Sequence, residues 1–153
     1  MTTRRAYVAI GANLGDARAS VRQAMDDLAA LPGTRVSARS SLYRSAPVDA
    51  QGPDFINAVV ELETRFDPAE LLAELHRIEG GAGRERPYRN APRTLDLDLL
   101  RHGGEVMNTA ELTLPHPRMG ERAFVLVPLA EIAPDQVTPA QLAQVADQRI
   151  ERL

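Results

Sequence analysis

Four short apolar stretches with strand character, two amphipathic stretches between them that open on helix-capping residues, and glycine or proline at most junctions predict an α+β fold. In chain order the elements read strand, helix, two strands, helix, strand and a helical C-terminal tail. Two successive strands flanked by helices fit a ferredoxin-like α/β/α sandwich with an antiparallel sheet. The 153 residues, 44% hydrophobic and 25% charged, are expected to form one domain, 1–153.

The first strand is Ala6–Ile10, and the glycines of Gly11-Ala12-Asn13-Leu14-Gly15-Asp16 are read as a tight turn after it. Asn13 stands where a dinucleotide fingerprint needs its second glycine. Asp16 is placed to cap a helix from Ala17 to Leu31, because Val21, Ala24, Leu28 and Leu31 recur at helical spacing and Pro32-Gly33 stops the run. Alternation through Val36, Ala38, Ser40 and Leu42 predicts one strand over 34–43. A loop with two prolines follows, then a strand over 55–64. On that strand Ile56, Ala58, Val60 and Leu62 share one face, and Phe55 and Asn57 share the other. An aromatic beside an amide at a loop mouth suits a flat heterocycle; a covered Phe and a backbone-bonded Asn are the plainer alternative.

Asp67-Pro68-Ala69-Glu70 reads as a capping box with proline at the first helical position, and Gly80-Gly81 is expected to end that helix. The next strand carries Leu95-Asp96-Leu97-Asp98-Leu99. Period two puts Asp96 and Asp98 on one face and the leucines on the other. Two carboxylates side by side repel unless a cation sits between them, and a hard divalent ion such as Mg²⁺ answers that need. Arg84, Arg86, Arg89 and Arg93 lie just upstream, guanidinium groups suited to phosphate oxygens. Together they point to phosphoryl or nucleotidyl transfer from a metal-bound nucleotide.

Gly103-Gly104 closes this strand, with Glu105–Met107 as a possible hairpin partner. Pro115-His116-Pro117 presents a histidine on a stiff turn, whereas His76 is expected on a helix surface and His102 at a strand end. The run 124–129 is compatible with strand or helix and is read as helix. Thr138-Pro139-Ala140-Gln141 opens the last helix.

Composition removes several function classes. A net charge of −3 argues against bulk nucleic-acid binding. All 18 basic residues are arginine, which excludes a P-loop and Schiff-base chemistry. Without cysteine there is no disulfide, thiolate nucleophile or zinc–thiolate site. With no apolar run long enough to span a bilayer, the expectation is a cytoplasmic protein with no membrane partner.

Several segments occur in one order: Gly11-Ala12-Asn13-Leu14-Gly15-Asp16, Phe55-Ile56-Asn57-Ala58, Arg84-Glu85-Arg86, Ala91-Pro92-Arg93-Thr94-Leu95-Asp96-Leu97-Asp98 and Pro115-His116-Pro117-Arg118-Met119. With the run 121–129 after them, the chain resembles the 6-hydroxymethyl-7,8-dihydropterin pyrophosphokinases of folate biosynthesis, from Tyr7 to about Pro134. The resemblance implies the ferredoxin-like fold and transfer of diphosphate from ATP to 6-hydroxymethyl-7,8-dihydropterin, with AMP released. It implies that Asp96 and Asp98 hold two Mg²⁺ ions, with Arg84 and Arg93 acting beside them. Glu79, Arg86, Arg89, His116 and Arg122 would serve the nucleotide and its phosphates. Phe55 and Phe124 would sandwich the pterin, Asn57 would bond its polar edge, and Ser45 and Val48 would complete the wall. A monomer is expected, with the two substrates as its partners. The chain departs from the family pattern at Asn90, where many members carry tryptophan, and its arginine loop is one residue shorter. A ligand-binding module on the same fold and a nucleotidyltransferase are the alternatives, separated by whether AMP is released or retained on the acceptor.

Overall fold

The first strand, β1 (Arg4–Ala12), lies inside the sheet and is covered on both faces, which is why its sequence reads as a nearly unbroken apolar run. A computed structural model describes residues 2–47, 52–83 and 95–153. Helix α1 (Ala17–Ala29) follows, capped by Asp16, whose Oδ1 accepts from the Ala19 N–H at 3.1 Å. The tight turn between them rests on Gly15, at φ +60°, where only glycine is unstrained. Gly11 lies within β1 rather than in the turn.

The strand expected over 34–43 is two: β2 (Thr34–Arg39) and β3 (Tyr43–Ser45). Both lie against β4 (Phe55–Thr64), β2 along its C-terminal half and β3 along its start. Between them Ser40 accepts the Val59 N–H with its hydroxyl at 2.9 Å, so a side chain replaces a ladder bond and the strand breaks.

Helix α2 (Pro68–Gly83) has the expected capping box: Glu70 N–H donates to Asp67 Oδ1 at 2.8 Å, and Asp67 N–H to Glu70 Oε1 at 2.9 Å. It runs through Gly80-Gly81, where the sequence predicted a stop. Ile78, buried just before, anchors this turn to the core, and the two glycines cost about 1 kcal/mol each against alanine. Strand β5 (Asp96–His102) ends on His102, fully buried with Nε2 2.8 Å from the Phe66 carbonyl; His76 lies exposed on α2.

Strand β6 (Met107–Asn108) pairs with β7 (Thr113–Leu114) in a separate small sheet, correcting the expected pairing with β5. Helix α3 (Ala123–Ile132) continues through Pro128, and α4 (Pro139–Gln144) starts in a complete Thr138–Gln141 capping box. After this helical tail the chain adds a strand absent from the sequence reading, β8 (Ile150–Arg152), paired with the free edge of β3.

The main sheet is antiparallel in the order β5-β1-β4-β3-β8, with β2 also on β4. Helices α1 and α2 cover one face, packing Val21, Leu28, Leu71 and Leu75 on Val8, Ile10, Val60 and Leu97. Helix α3 covers the other, packing Leu126 and Leu129 with Tyr7, Val59 and Leu100. Each such buried side chain contributes about 1.5–3 kcal/mol. This is the expected α/β/α sandwich.

Candidate active site

The site lies on the α3 face, where the starts of β4 and β5 flank the end of β1. Gly11 pairs with Asn57 of β4 on one side and Asp96 of β5 on the other; Ala9 pairs with Val59 and Asp98. Strands about 4.8 Å apart therefore put the Asn57 and Asp96 backbones about 10 Å apart across a strand that offers no side chain at Gly11 and one methyl at Ala9. A cavity of about 210 Å³ opens over that low floor. Phe55, Asn57 and Ser45 line it on the β4 side, Asp96 and Asp98 on the β5 side, and Arg122 and Phe124 come from the start of α3.

A Cβ on Gly11 would lie 3.4 Å from Asn57 Nδ2 and 3.8 Å from the Phe55 ring. Gly11 is thus part of the cavity's shape. The sequence reading missed it because a glycine between a strand and a helix signals a turn.

Asn57 and Ser45 are both buried, and the Ser45 hydroxyl donates to Asn57 Oδ1 at 2.5 Å. That bond fixes the amide with its NH₂ turned toward the floor at Gly11. The plainer alternative, an Asn spent on backbone, is not what the structure shows. The Arg122 guanidinium lies 5.4 Å from the centre of the Phe124 ring, a cation–π contact that holds both at the cavity wall.

Glu79 reaches the acidic strand from α2: its Oε2 accepts the Leu97 N–H at 2.8 Å, between Asp96 and Asp98. His116, half-buried, is held by its backbone N–H to the Leu100 carbonyl at 2.9 Å. Burial lowers its pKa below the ordinary value; Asp98 pulls it up, and Arg122 and Arg118 press it down. The Arg118 backbone N–H donates to His116 Nδ1 at 3.2 Å, so the neutral ring carries its proton on Nε2. Val48, Arg84, Arg86, Arg89 and Arg93 lie outside the described residues.

Among the described residues no three metal-ligating side chains converge. Asp96 and Asp98 offer two carboxylate arms on one strand face, about 7 Å apart along the chain. Mg²⁺ is commonly bound in this way, by one or two carboxylates with water and substrate phosphates completing the octahedron. The donor set fits Mg²⁺ and does not fit a thiophilic metal.

A pocket lined by aromatic and amide side chains and joined to a carboxylate pair, on an antiparallel α/β/α sandwich, has the parts of an enzyme that brings a heterocycle to a phosphate donor. The family model for 7,8-dihydro-6-hydroxymethylpterin-pyrophosphokinase matches residues 7–134, and the chain belongs to that family. The 2-amino-4-hydroxy-6-hydroxymethyldihydropteridine pyrophosphokinase of Haemophilus influenzae is 44% identical over 135 residues, 88% of this chain and 84% of that protein. The Pseudomonas aeruginosa protein of the same name is 44% identical over 156 residues, 97% of this chain and 96% of its own length. Among solved structures, a single-substitution variant of Plasmodium falciparum HPPK-DHPS with pteroate superimposes with a TM-score of 0.71 at 12% identity, covering 99% of this chain. This chain spans 46% of that one, and the likeness is one of fold.

Proposed function

We propose that this chain transfers the terminal diphosphate of ATP to the hydroxymethyl oxygen of 6-hydroxymethyl-7,8-dihydropterin, releasing AMP, as a step of folate biosynthesis. The observation that carries this reading is the register of the three strands, which joins an aromatic and amide recognition surface to a carboxylate pair across Gly11. The pterin lies between Phe55 and Phe124, with Ser45 holding Asn57 so that its NH₂ donates to an acceptor on the ring edge. The hydroxymethyl group then points along the Gly11 row toward Asp96.

Asp96 and Asp98 would hold Mg²⁺, two ions in this reading, which would neutralise phosphate charge and favour the ionised alcohol. The pterin oxygen forms the new bond to the β-phosphorus, the bond from that phosphorus to the oxygen bridging the α-phosphate breaks, and AMP leaves with that oxygen. The hydroxyl proton passes to the Asp96 carboxylate or to water. His116, neutral with Nε2–H outward, and Arg122 donate to phosphate oxygens and stabilise the charge that builds on them. Glu79 acts at least partly through the strand, fixing the Leu97 backbone between the two aspartates. Arg84, Arg86, Arg89 and Arg93 supply the remaining positive charge on the nucleotide side, and Val48 completes the pterin wall. The chain works as a single domain and a monomer in the cytoplasm, with no nucleic-acid or membrane partner. None of the described helices is long and apolar enough to cross a membrane.

The test is incubation with ATP, Mg²⁺ and the hydroxymethyl pterin. AMP that appears only when pterin is present supports the reading. Free pyrophosphate, with AMP joined to the acceptor, would identify a nucleotidyltransferase in its place.

A further inference from the structure

A second cavity, of about 590 Å³, adjoins the pterin pocket between Ala46-Pro47 and the start of α3. It shares Ser45, Ala46, Arg122 and Phe124 with the first cavity but reaches neither aspartate. Three arginines line it, Arg118, Arg122 and Arg149, with one acidic residue, Glu121. Among the described residues none of the three arginines forms an ion pair. The wall that brings Arg149 here is built: Gln148 Oε1 accepts from the Ala123 N–H and its Nε2 donates to the Glu121 carbonyl, both at 2.8 Å. Through that pair of hydrogen bonds the C-terminal segment is tied to the start of α3, and residues remote in sequence line one space.

Uncompensated arginines around a polar cleft select an oxyanion carrying two or more charges. Continuity with the pterin pocket narrows the ligand further: a pterin seated between Phe55 and Phe124 would need an anionic substituent to use both spaces. The alcohol substrate has none, whereas the product carries a diphosphate. We propose that the Arg118–Arg122–Arg149 cleft is a subsite for the diphosphate of the pterin product after transfer. This rests on the functional reading above. Arg122 lines both cavities and can stay bonded to the diphosphate as it leaves the two aspartates, whose charge repels it. The cleft therefore separates product from substrate by charge, and sets how long product is retained.

Calorimetric titration of wild type, Arg149→Ala, Arg118→Ala and the double variant with the alcohol, the product and inorganic diphosphate tests this, after pterin-dependent AMP formation by wild type has been measured. Each single substitution is expected to weaken product binding about tenfold, with a shallower salt dependence. Alcohol affinity should stay within twofold, and Arg149→Lys should recover part of the loss. If wild type turns over but both single variants bind product as wild type does, the subsite is overturned and the functional reading stands. Equal losses for alcohol and product would also overturn it, as a general disturbance of the cavity. A wild type that makes no AMP removes the functional reading and this inference with it.

Discussion

The two sides of the cavity proposed to take the pterin are built by different physical rules. On the β4 side, Ser45 and Asn57 are about 5% and 4% exposed, bonded to each other and fixed on interior strands. On the β5 side, Asp96 and Asp98 sit on an edge strand, Asp96 exposed and Asp98 half-buried. A neutral heterocycle is recognised by shape and a few directed bonds, so that surface gains from being finished before the ligand arrives. A metal–triphosphate needs strong charge and room for water and phosphate oxygens, which an edge supplies and an interior strand does not. The separation predicts that each side can be damaged while the other keeps its ligand.

The largest expected effect is on the acidic side. Asp98→Ala should lower the rate of AMP formation by about 100-fold or more, since even outer partners of a metal site are worth roughly 10–100-fold. Pterin affinity, read by fluorescence titration without nucleotide, should not change. A parallel loss of pterin binding would mean that the two sides are one unit.

Filling the floor attacks the other side. Gly11→Val suits the strand backbone but pushes methyl groups toward Asn57 and Phe55. Overpacking of this kind costs about 1–3 kcal/mol, which should appear as pterin affinity lost by roughly tenfold or more. Binding of Mg²⁺ and ATP, measured separately, should survive. Phe124→Ala removes one wall and should weaken pterin by about 1–3 kcal/mol, on the scale of base–aromatic stacking. An unchanged affinity would remove the ring from the sandwich and with it the assignment of this half to the pterin.

A smaller effect probes how the edge strand is held. Glu79→Gln replaces a charged acceptor at Leu97 N–H with a neutral one, a change of about 1 kcal/mol. The Leu97 amide should then exchange faster with solvent in the ligand-free protein, and the Mg²⁺ dependence of turnover should move to higher concentration. If only the KM for ATP changed while the amide stayed as protected as before, Glu79 would be a nucleotide contact alone.

What the sequence made legible follows the same division. Phe55–Thr64, the capping boxes and the Asp96/Asp98 alternation were readable because each is a local pattern with a period or a fixed offset. Gly11 was not, because its role comes from register with two other strands, and locally it resembles the turn glycine at position 15. Strand β8 has three mostly exposed residues and no alternation to reveal it; it exists because β3 leaves an edge to pair. The break at Ser40 depends on one hydroxyl reaching Val59. The arginine cleft joins residues 118 and 149, distant in sequence and brought together by tertiary contacts such as those of Gln148.

The smallest expected effect concerns the tie between the pterin-side strand and α3, which must hold for Ser45 and Phe124 to keep their places. Glu131 of α3 accepts from the Tyr43 hydroxyl at 2.7 Å and from the Ser41 N–H at 2.9 Å and hydroxyl at 2.9 Å, with Arg152 at 3.5 Å. Burial pushes its pKa up, but these bonds to the charged form outweigh burial and leave it below the ordinary 4.5. Burial first, and then the same contact, raise Tyr43 to about 12, so the phenol stays a donor across the working range. A carboxyl whose folded pKa is depressed binds its proton more readily in the unfolded chain. Its contribution is therefore fully present above pH 4.5 and fades as pH falls through the folded value. Denaturant unfolding of wild type and Glu131→Gln should show a stability gap at pH 7 that narrows below pH 4.5. A gap of the same size at both ends would mean that the tie rests on geometry alone and owes nothing to the carboxylate's charge.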